Sequence, residues 1–398
     1  MKSPLVHCVL GALVSLAVSL PGRLPAAEVV VNDATGFRRE LNQAQPGLTL
    51  RLAPGLYGGS YHFANLRGSA EQPILVAAAD PANPPVFDGS TGGLQFSGVA
   101  HLELRGLVIT NFQQNGLNLD DGSSYETPAH HIVLRNLKVV GSSPGGNRDA
   151  IKLSGLVDFE VRDCEIEGWG TGGGSGIDMV GCHRGRIEGN QLRHTDSVGS
   201  TGIQAKGDTS EIVIRRNRFE NAGGRAINIG GSTGLQFFRP PLKPGEEHSE
   251  ASDITVEGNT FIGSGAPVAF VGVDGAKVCF NTIYHPKRWA LRILQETKAP
   301  GFVPSRNGEF TDNIVVFDSR DWGEGGVNIG AGTAPETFSF ARNWWYCLDN
   351  PERSRPRLPT EEKSGVYGKD PELRDPEKGD FTLTPASPAR NYGASALK

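Results

Sequence analysis

Eight short segments alternate apolar and polar residues in the same phase: GLNLD from Gly116, AIKLS from Ala150, GIDMV from Gly176, GIQAK from Gly202, AINIG from Ala226, PVAFV from Pro267, ALRIL from Ala290 and GVNIG from Gly326. A ninth, GLQFS from Gly93, opens the series. Second and fourth places are apolar, as in Ile151/Leu153, Ile177/Met179 and Ile227/Ile229, while third and fifth places are mostly polar or small. Period-two alternation marks a strand with one face in a core. The starts lie 34, 26, 26, 24, 41, 23 and 36 residues apart, so the pattern is an internal repeat rather than a set of unrelated strands.

A second β-rich stretch follows each segment and carries a recurring Asn: Asn136, Asn190, Asn217, Asn259, Asn281, Asn313 and Asn343. One Asn per coil at the same turn stacks into a ladder, each amide bonding the turn above or below. Short strands, fixed turn chemistry and a period near 24 residues predict a parallel β-helix. Its coils are spaced by the inter-strand distance of about 4.8 Å. β-Propellers have longer repeats of antiparallel hairpins, and leucine-rich repeats need a different Leu/Asn spacing. A solenoid's ends need covers. Asp33 or Thr35 is placed to N-cap a short amphipathic helix over 36–44 that turns Phe37 and Leu41 onto the first coil. After Cys347 the pattern dissolves into a Pro- and charge-rich tail, 349–398, which reads as an extended cover on a solenoid spanning 28–348.

Composition narrows the class further. Glycine supplies 53 of 398 residues and charged residues only 21%, which suits tight turns and argues against helical bundles and coiled coils. A net charge of -5 is too mild for a nucleic-acid binder. The first 27 residues pair Lys2 with an apolar run from Leu5 to Leu20 and a small-residue exit at Pro25-Ala26-Ala27, the pattern of a secretory signal. That run is too short and interrupted for a membrane span, and its removal with Lys2 and Arg23 leaves a secreted chain of charge -7. Cys164, Cys182, Cys279 and Cys347 then remain, without a C-x-x-C pair, and read as buried free thiols.

The stretches PGLTLRLAPGLYGGSYHF, GSAEQPILVAAADPANPPVFDG and FSGVAHLELRGLVITNF, with the closing SPARNYG, resemble secreted right-handed parallel β-helix polysaccharide lyases of the chondroitinase B and alginate lyase type. The resemblance covers nearly all of the chain after residue 27. It implies an all-β, pectin-lyase-like fold and a polysaccharide partner; function must come from the site.

Stacking the segments puts their third places in one outward column, Asn118, Lys152, Asp178, Gln204, Asn228, Ala269, Arg292 and Asn328, beside a fifth-place column holding Asp120, Ser154, Val180 and Lys206. The longer intervals place insertions beside this sheet at 121–130, 142–149, 232–253, 295–308 and 318–325. A β-helix folds without them, and long loops on one face tend to carry function. Tyr125, Phe237, Phe238 and Trp322 lie in these loops, with Trp169 and Trp289 in turns entering the sheet. Aromatic faces along a groove suit sugar rings; the alternative is that each packs its own loop onto its coil. Acidic residues Asp120, Asp121, Asp149 and Asp178 gather toward the N-terminal coils, and Lys206, Arg225, Arg288 and Arg292 toward the C-terminal ones, with Arg239 and Lys243 on the 232–253 loop. Cations collected at one groove of an acidic protein point to an anionic ligand. Lys152 beside Asp178 also reads as a plain cross-coil ion pair.

Uronate β-elimination needs a cation at the carboxylate, a base for the C5 proton and a proton for the leaving oxygen. Lys206 fits the base, Arg225 or Arg292 the carboxylate, and Asp120, Asp149 and Asp178 a Ca2+ site. Lys152, Gln204, Asn228, Phe237, Phe238, Arg239, Trp289 and Trp322 are the expected sugar contacts. In the family Lys206 matches the catalytic lysine, but the Arg-His-Gly place reads Asn228-Ile229-Gly230, and Thr201-Gly202 replace the calcium-binding Glu pair. Two other readings stay open: a glycoside hydrolase using Asp149 and Asp178, and a non-catalytic glycan-binding solenoid. Gly168, Gly170 and Gly173 spell G-x-G-x-x-G without a following helix and give no nucleotide site. His183, His194 and the pair His130-His131 lack metal-like spacing with acidic partners.

Overall fold

The computed structural model describes residues 28–397 apart from 90–92, 143–144 and 196–197, so the expected export segment lies outside the described residues. Among the described residues the chain winds as a parallel β-helix, each full coil giving one strand to each of three sheets of ten, twelve and twelve strands. One coil shows the scheme. Ser175–Val180 runs in the first sheet, His183–Glu188 in the second and Gln191–Arg193 in the third; Thr201–Lys206 then returns parallel to Ser175–Val180. We call these the groove sheet, the long-strand sheet and the short-strand sheet.

The expected register holds residue by residue. Ile151, Ile177, Ile203 and Ile227 form one column in the groove sheet, and all four are fully buried. Each such side chain removed from water contributes about 1.5–3 kcal/mol, and the stacked columns make one continuous core through the solenoid.

The short turn before each short-strand-sheet strand carries the Asn ladder. Asn217 Oδ1 accepts from the backbone N–H and the side-chain amide of Asn190, both at 2.9 Å, and Asn217 in turn donates to Asn259. Asn281, Asn313 and Asn343 continue the chain of bonds, and Glu362 Oε1 closes it by accepting from the Asn343 backbone N–H and amide at 3.0 and 2.8 Å. Buried amides are tolerated because every donor and acceptor finds a partner. Asn136 is not a rung. It sits one place earlier, at a left-handed φ of 52°, and Leu137 and Cys164 hold the ladder column in the first coils.

Both ends are covered. Asp33 accepts from Gly36 N–H at 2.6 Å and caps the helix Ala34–Asn42, which buries Phe37 among Tyr57, Tyr61, Phe63 and Phe87. At the other end Val366–Tyr367 adds a parallel strand beside Trp344–Cys347, and the tail then runs back along the short-strand sheet, with Tyr392 against Trp344 and Phe381 against Tyr284. The four cysteines in the described residues are free, three of them buried and Cys279 half-buried.

Candidate functional site

Turns between the long-strand and short-strand sheets are two residues long from Ala100 onward, so the long connections between those coils border the groove sheet. Those at 121–128, 231–250 and 295–305 leave the C-terminal ends of groove strands, and those at 141–150 and 318–326 enter N-terminal ends. Of these, the 231–250 connection lies over the outer face of this sheet.

Lys152 and Asp178 are register partners on neighbouring strands, and Lys152 Nζ donates to Asp178 Oδ2. The same ammonium lies 3.6 Å from Asp149 Oδ2. Lys206, one coil further and two places along, brings Nζ to 3.4 Å from Asp178 Oδ1. Lys206 thus has a partner that its own column did not reveal, reached diagonally across the strands. Asp178 is 2% exposed and Asp149 3%, so both carboxylates lie beneath the lysines rather than open to the groove.

Burial pushes the Asp149 carboxyl up to about 7, and the neighbouring Asp178 charge adds to this, while Lys152 and the Ser175 N–H oppose it. For Lys152 burial acts to lower the ammonium's proton affinity, but Asp178 and Asp149 outweigh it and the net shift is upward. Lys152 stays a cation.

The loop 231–250 roofs this cluster. Lys152, Lys206 and Val180 form the floor, and Phe237 and Arg239 the roof, of a cavity of about 270 Å3. Phe237 is 55% exposed and presents its ring to the groove. Arg239 Nε donates to Asp121 Oδ2 at 2.8 Å, and its carbonyl oxygen bonds His183 at 2.9 Å, which holds the loop down over three coils. The loop fits because residue 181 is glycine: at φ 59° a Cβ there would collide with the Arg239 side chain.

Glu250, which sequence reasoning missed, fastens the roof from below. Fully buried, it accepts from Gly207 N–H at 2.9 Å, directly after Lys206, from Thr233 N–H and Oγ1 at 2.9 and 2.7 Å, and from Thr297 Oγ1. One carboxylate so links the end of the Lys206 strand, the start of the roof and the 295–305 loop. His183 anchors Arg239 through a contact between residues far apart in sequence, which its spacing does not reveal.

Several expected site residues lie elsewhere. Arg225 aligns with Thr201, five residues along the strand from the Lys206 level, about 16 Å at 3.3 Å per residue. It donates to Asn228 Oδ1 at 3.0 Å and Glu296 Oε1 at 2.7 Å. Asn228 is buried beneath that bond, whereas Gln204 faces the groove half-buried, its Oε1 3.4 Å from Ser175 Oγ. Arg292 bonds Asn328 at 2.9 Å, and its guanidinium and that of Arg288 lie 4.4 and 4.2 Å from the Trp289 ring centre, covering the ring rather than leaving it to a sugar. Phe238 is fully buried edge-on to Phe302, and Trp322 stacks on Phe317 at the C-terminal end of the core. These three rings pack loops onto coils.

The acidic trio does not assemble either. Asp120 accepts from Gln95, Ser97 and Gly122 N–H at 3.0, 3.1 and 2.9 Å, apart from Asp149 and Asp178, which face the two lysines. Two ammonium groups on the carboxylates that would hold Ca2+ do not fit a calcium site, so no step below passes through the ion.

Residues 92–240 match the family model described as the right handed beta helix region. The solenoid is a right-handed β-helix. Comparison of the sequence with curated proteins finds no match. Among solved structures, the alginate lyase from Paenibacillus sp. str. FPU-7 superposes with a TM-score of 0.54 at 19% identity, covering 77% of this chain and 98% of that one. The PL6 family polysaccharide lyase from Pseudopedobacter saltans gives 0.53 at 14% identity, covering 92% and 99%. At such identities the shared property is the fold.

Proposed function

We propose that this protein is a lyase that cleaves an acidic, uronate-containing polysaccharide by β-elimination at Lys206. One observation carries the reading: the ammonium groups of Lys152 and Lys206 meet at the single carboxylate of Asp178 on the floor of a groove roofed by Phe237 and Arg239. Two structurally similar proteins named as polysaccharide lyases support the reaction class.

The chemistry follows from the residues. A uronate carboxylate entering the cavity meets Lys152, which keeps its charge, and Arg239 from above; their positive charge favours the enolate-like charge that develops when C5 loses its proton. Lys206, once its own proton has passed to solvent, takes the C5 proton as base, and the ammonium so re-formed is a proton source for the leaving oxygen. Phe237 offers a ring face to the adjoining sugar. The export segment expected in residues 1–27 would deliver the enzyme to where such polymers occur.

A hydrolase reading has one observation in its favour, the pair of neighbouring carboxyls Asp149 and Asp178 with Asp149 raised to about 7. Both carboxyls, however, lie under Lys152 and Lys206. Incubation with alginate, pectate, chondroitin and neutral glucans separates the readings. Ultraviolet absorbance from unsaturated uronates, lost in Lys206→Ala, is the expected result. New reducing ends without that absorbance would overturn the proposal in favour of hydrolysis, and no product from any polymer would favour a binding solenoid.

A further inference from the structure

Away from the groove, the outer face of the long-strand sheet holds an open trough of about 700 Å3. Along it each coil places one residue in the left-handed region: His101 at φ 50°, His131 at 54°, Asp158 at 56°, Arg184 at 52° and Glu211 at 56°. The register pairs His130 with Ala100 and Ile132 with Leu102, which sets His131 directly over His101 one coil away. The left-handed residue interrupts the strand's alternation, and the consecutive side chains of His130 and His131 converge instead of diverging. Their ring centres lie 5.0 Å apart, and those of His101 lie 4.5 Å from His131 and 5.2 Å from His130.

We propose that His101, His130 and His131 bind one divalent transition-metal ion of the Zn2+ class, held across two successive coils on a different sheet from the groove. Ligand nitrogens of all three rings already lie within 4.8 Å of one another. A tetrahedral ion about 2.0–2.1 Å from each nitrogen needs them roughly 3.3 Å apart, a closure that small ring rotations supply. The hydrogen bond between the Nδ1 atoms of His130 and His131, at 2.8 Å, is the one these rings make among the described residues. Asp158, next in the column, has both oxygens committed to Arg184 at 2.9 and 3.0 Å.

Neutral imidazoles offer lone pairs, and a site of three imidazoles selects Zn2+, Ni2+ or Cu2+ over the oxygen-seeking Ca2+ and Mg2+. Three protein ligands leave a fourth position open toward the trough, where water or an anion completes the shell. Spacing along the chain conceals this set, because His130-His131 has no spaced partner in its own coil and the third ligand arrives from the coil before.

Titration of the full chain, made without a histidine tag, with Zn2+ alone tests the site. We expect one ion per chain by calorimetry at neutral pH, no competition from excess Ca2+, and the intense visible bands of tetrahedral Co2+ on substitution. The double variant His101→Ala/His131→Ala should weaken binding by more than the roughly tenfold that loss of an outer-shell partner costs. Its melting curve in chelator should lie close to that of the parent chain, since His131 is exposed and the half-buried His101 stands on the outer face, away from the core; His101→Gln is the gentler substitute if the double variant does not fold. Absence of stoichiometric binding, or binding unchanged in a folded variant, overturns the proposal.

Discussion

Lys206 Nζ stands 3.4 Å from Asp178 Oδ1 while Lys152 donates to the other oxygen of the same buried carboxylate. One negative charge therefore serves two ammonium groups. Asp149, raised to about 7, cannot fully balance the second at neutral pH. The groove floor keeps a positive excess that a uronate carboxylate neutralises.

This sharing makes the two lysines inequivalent. Lys206→Ala should abolish elimination with little change in melting temperature, because Lys152 still neutralises Asp178. Lys152→Ala should cost stability as well as activity, since it strips both Asp149 and Asp178 of their shared cation. The loss should stay below the about 3–5 kcal/mol of a fully buried pair, because Asp149 is able to take up a proton. Steady-state kinetics beside denaturant unfolding distinguish them; equal stability losses would show that the lysines are interchangeable.

Asp149 makes stability depend on pH in an unusual direction. Its folded value of about 7 lies above its ordinary 3.8, so the folded chain holds this proton more tightly than the unfolded chain. That contribution is fully present below about 3.8 and is lost as pH rises through about 7. Asp149→Asn cannot titrate but keeps an oxygen for the Ser175 N–H. The melting temperature of the variant relative to the parent should therefore rise between about pH 5 and pH 8. A constant difference across that range would show that Asp149 is ionised throughout.

The ladder predicts a local cost of a different kind. Asn217→Ala removes the acceptor of the Asn190 N–H and the donors to Ile187 O and Asn259 Oδ1, all buried. Each group left unsatisfied costs about 1–3 kcal/mol, so this single surface-neutral change should lower stability by at least that much. Asn136→Ala, one place before the ladder column, should be mild by comparison, its cost confined to the left-handed turn. Chemical denaturation of both variants checks the contrast.

The repeat made the core and the outward columns legible, because alternation and turn chemistry recur once per coil and parallel stacking leaves no freedom in register. Lys152 beside Asp178 followed from that stacking alone. What the columns hid was position along the strand: Arg225 is one coil from Lys206 yet opens its strand where Lys206 ends its own. Loop aromatics were ambiguous for a physical reason, since Phe237 and the adjacent Phe238 have the same composition and opposite burial. Glu250 left no trace at all. Its partners Gly207, Thr233 and Thr297 come from three separate connections that only folding brings to one carboxylate.

That carboxylate leads to a prediction about how the roof acts. Glu250 touches none of the cavity, so it works by position, holding Thr233 at the root of the loop and Gly207 at the end of the Lys206 strand. Glu250→Ala leaves four donors without their charged acceptor, and hydrogen bonds to charged groups contribute about 1.5–3 kcal/mol each, not additively. We expect a stability loss of about 3 kcal/mol or more, together with faster proteolytic nicking within 231–250. Glu250→Gln keeps the shape and one acceptor oxygen and should recover part of both. If the roof positions Phe237 and Arg239 over the substrate, both variants should raise KM more than they lower kcat, because Lys206 and Lys152 remain in place on the floor. Kinetics at a temperature where each variant is fully folded provide the check. A fall in kcat with KM unchanged would instead mean that Glu250 sets the Lys206 strand rather than the loop.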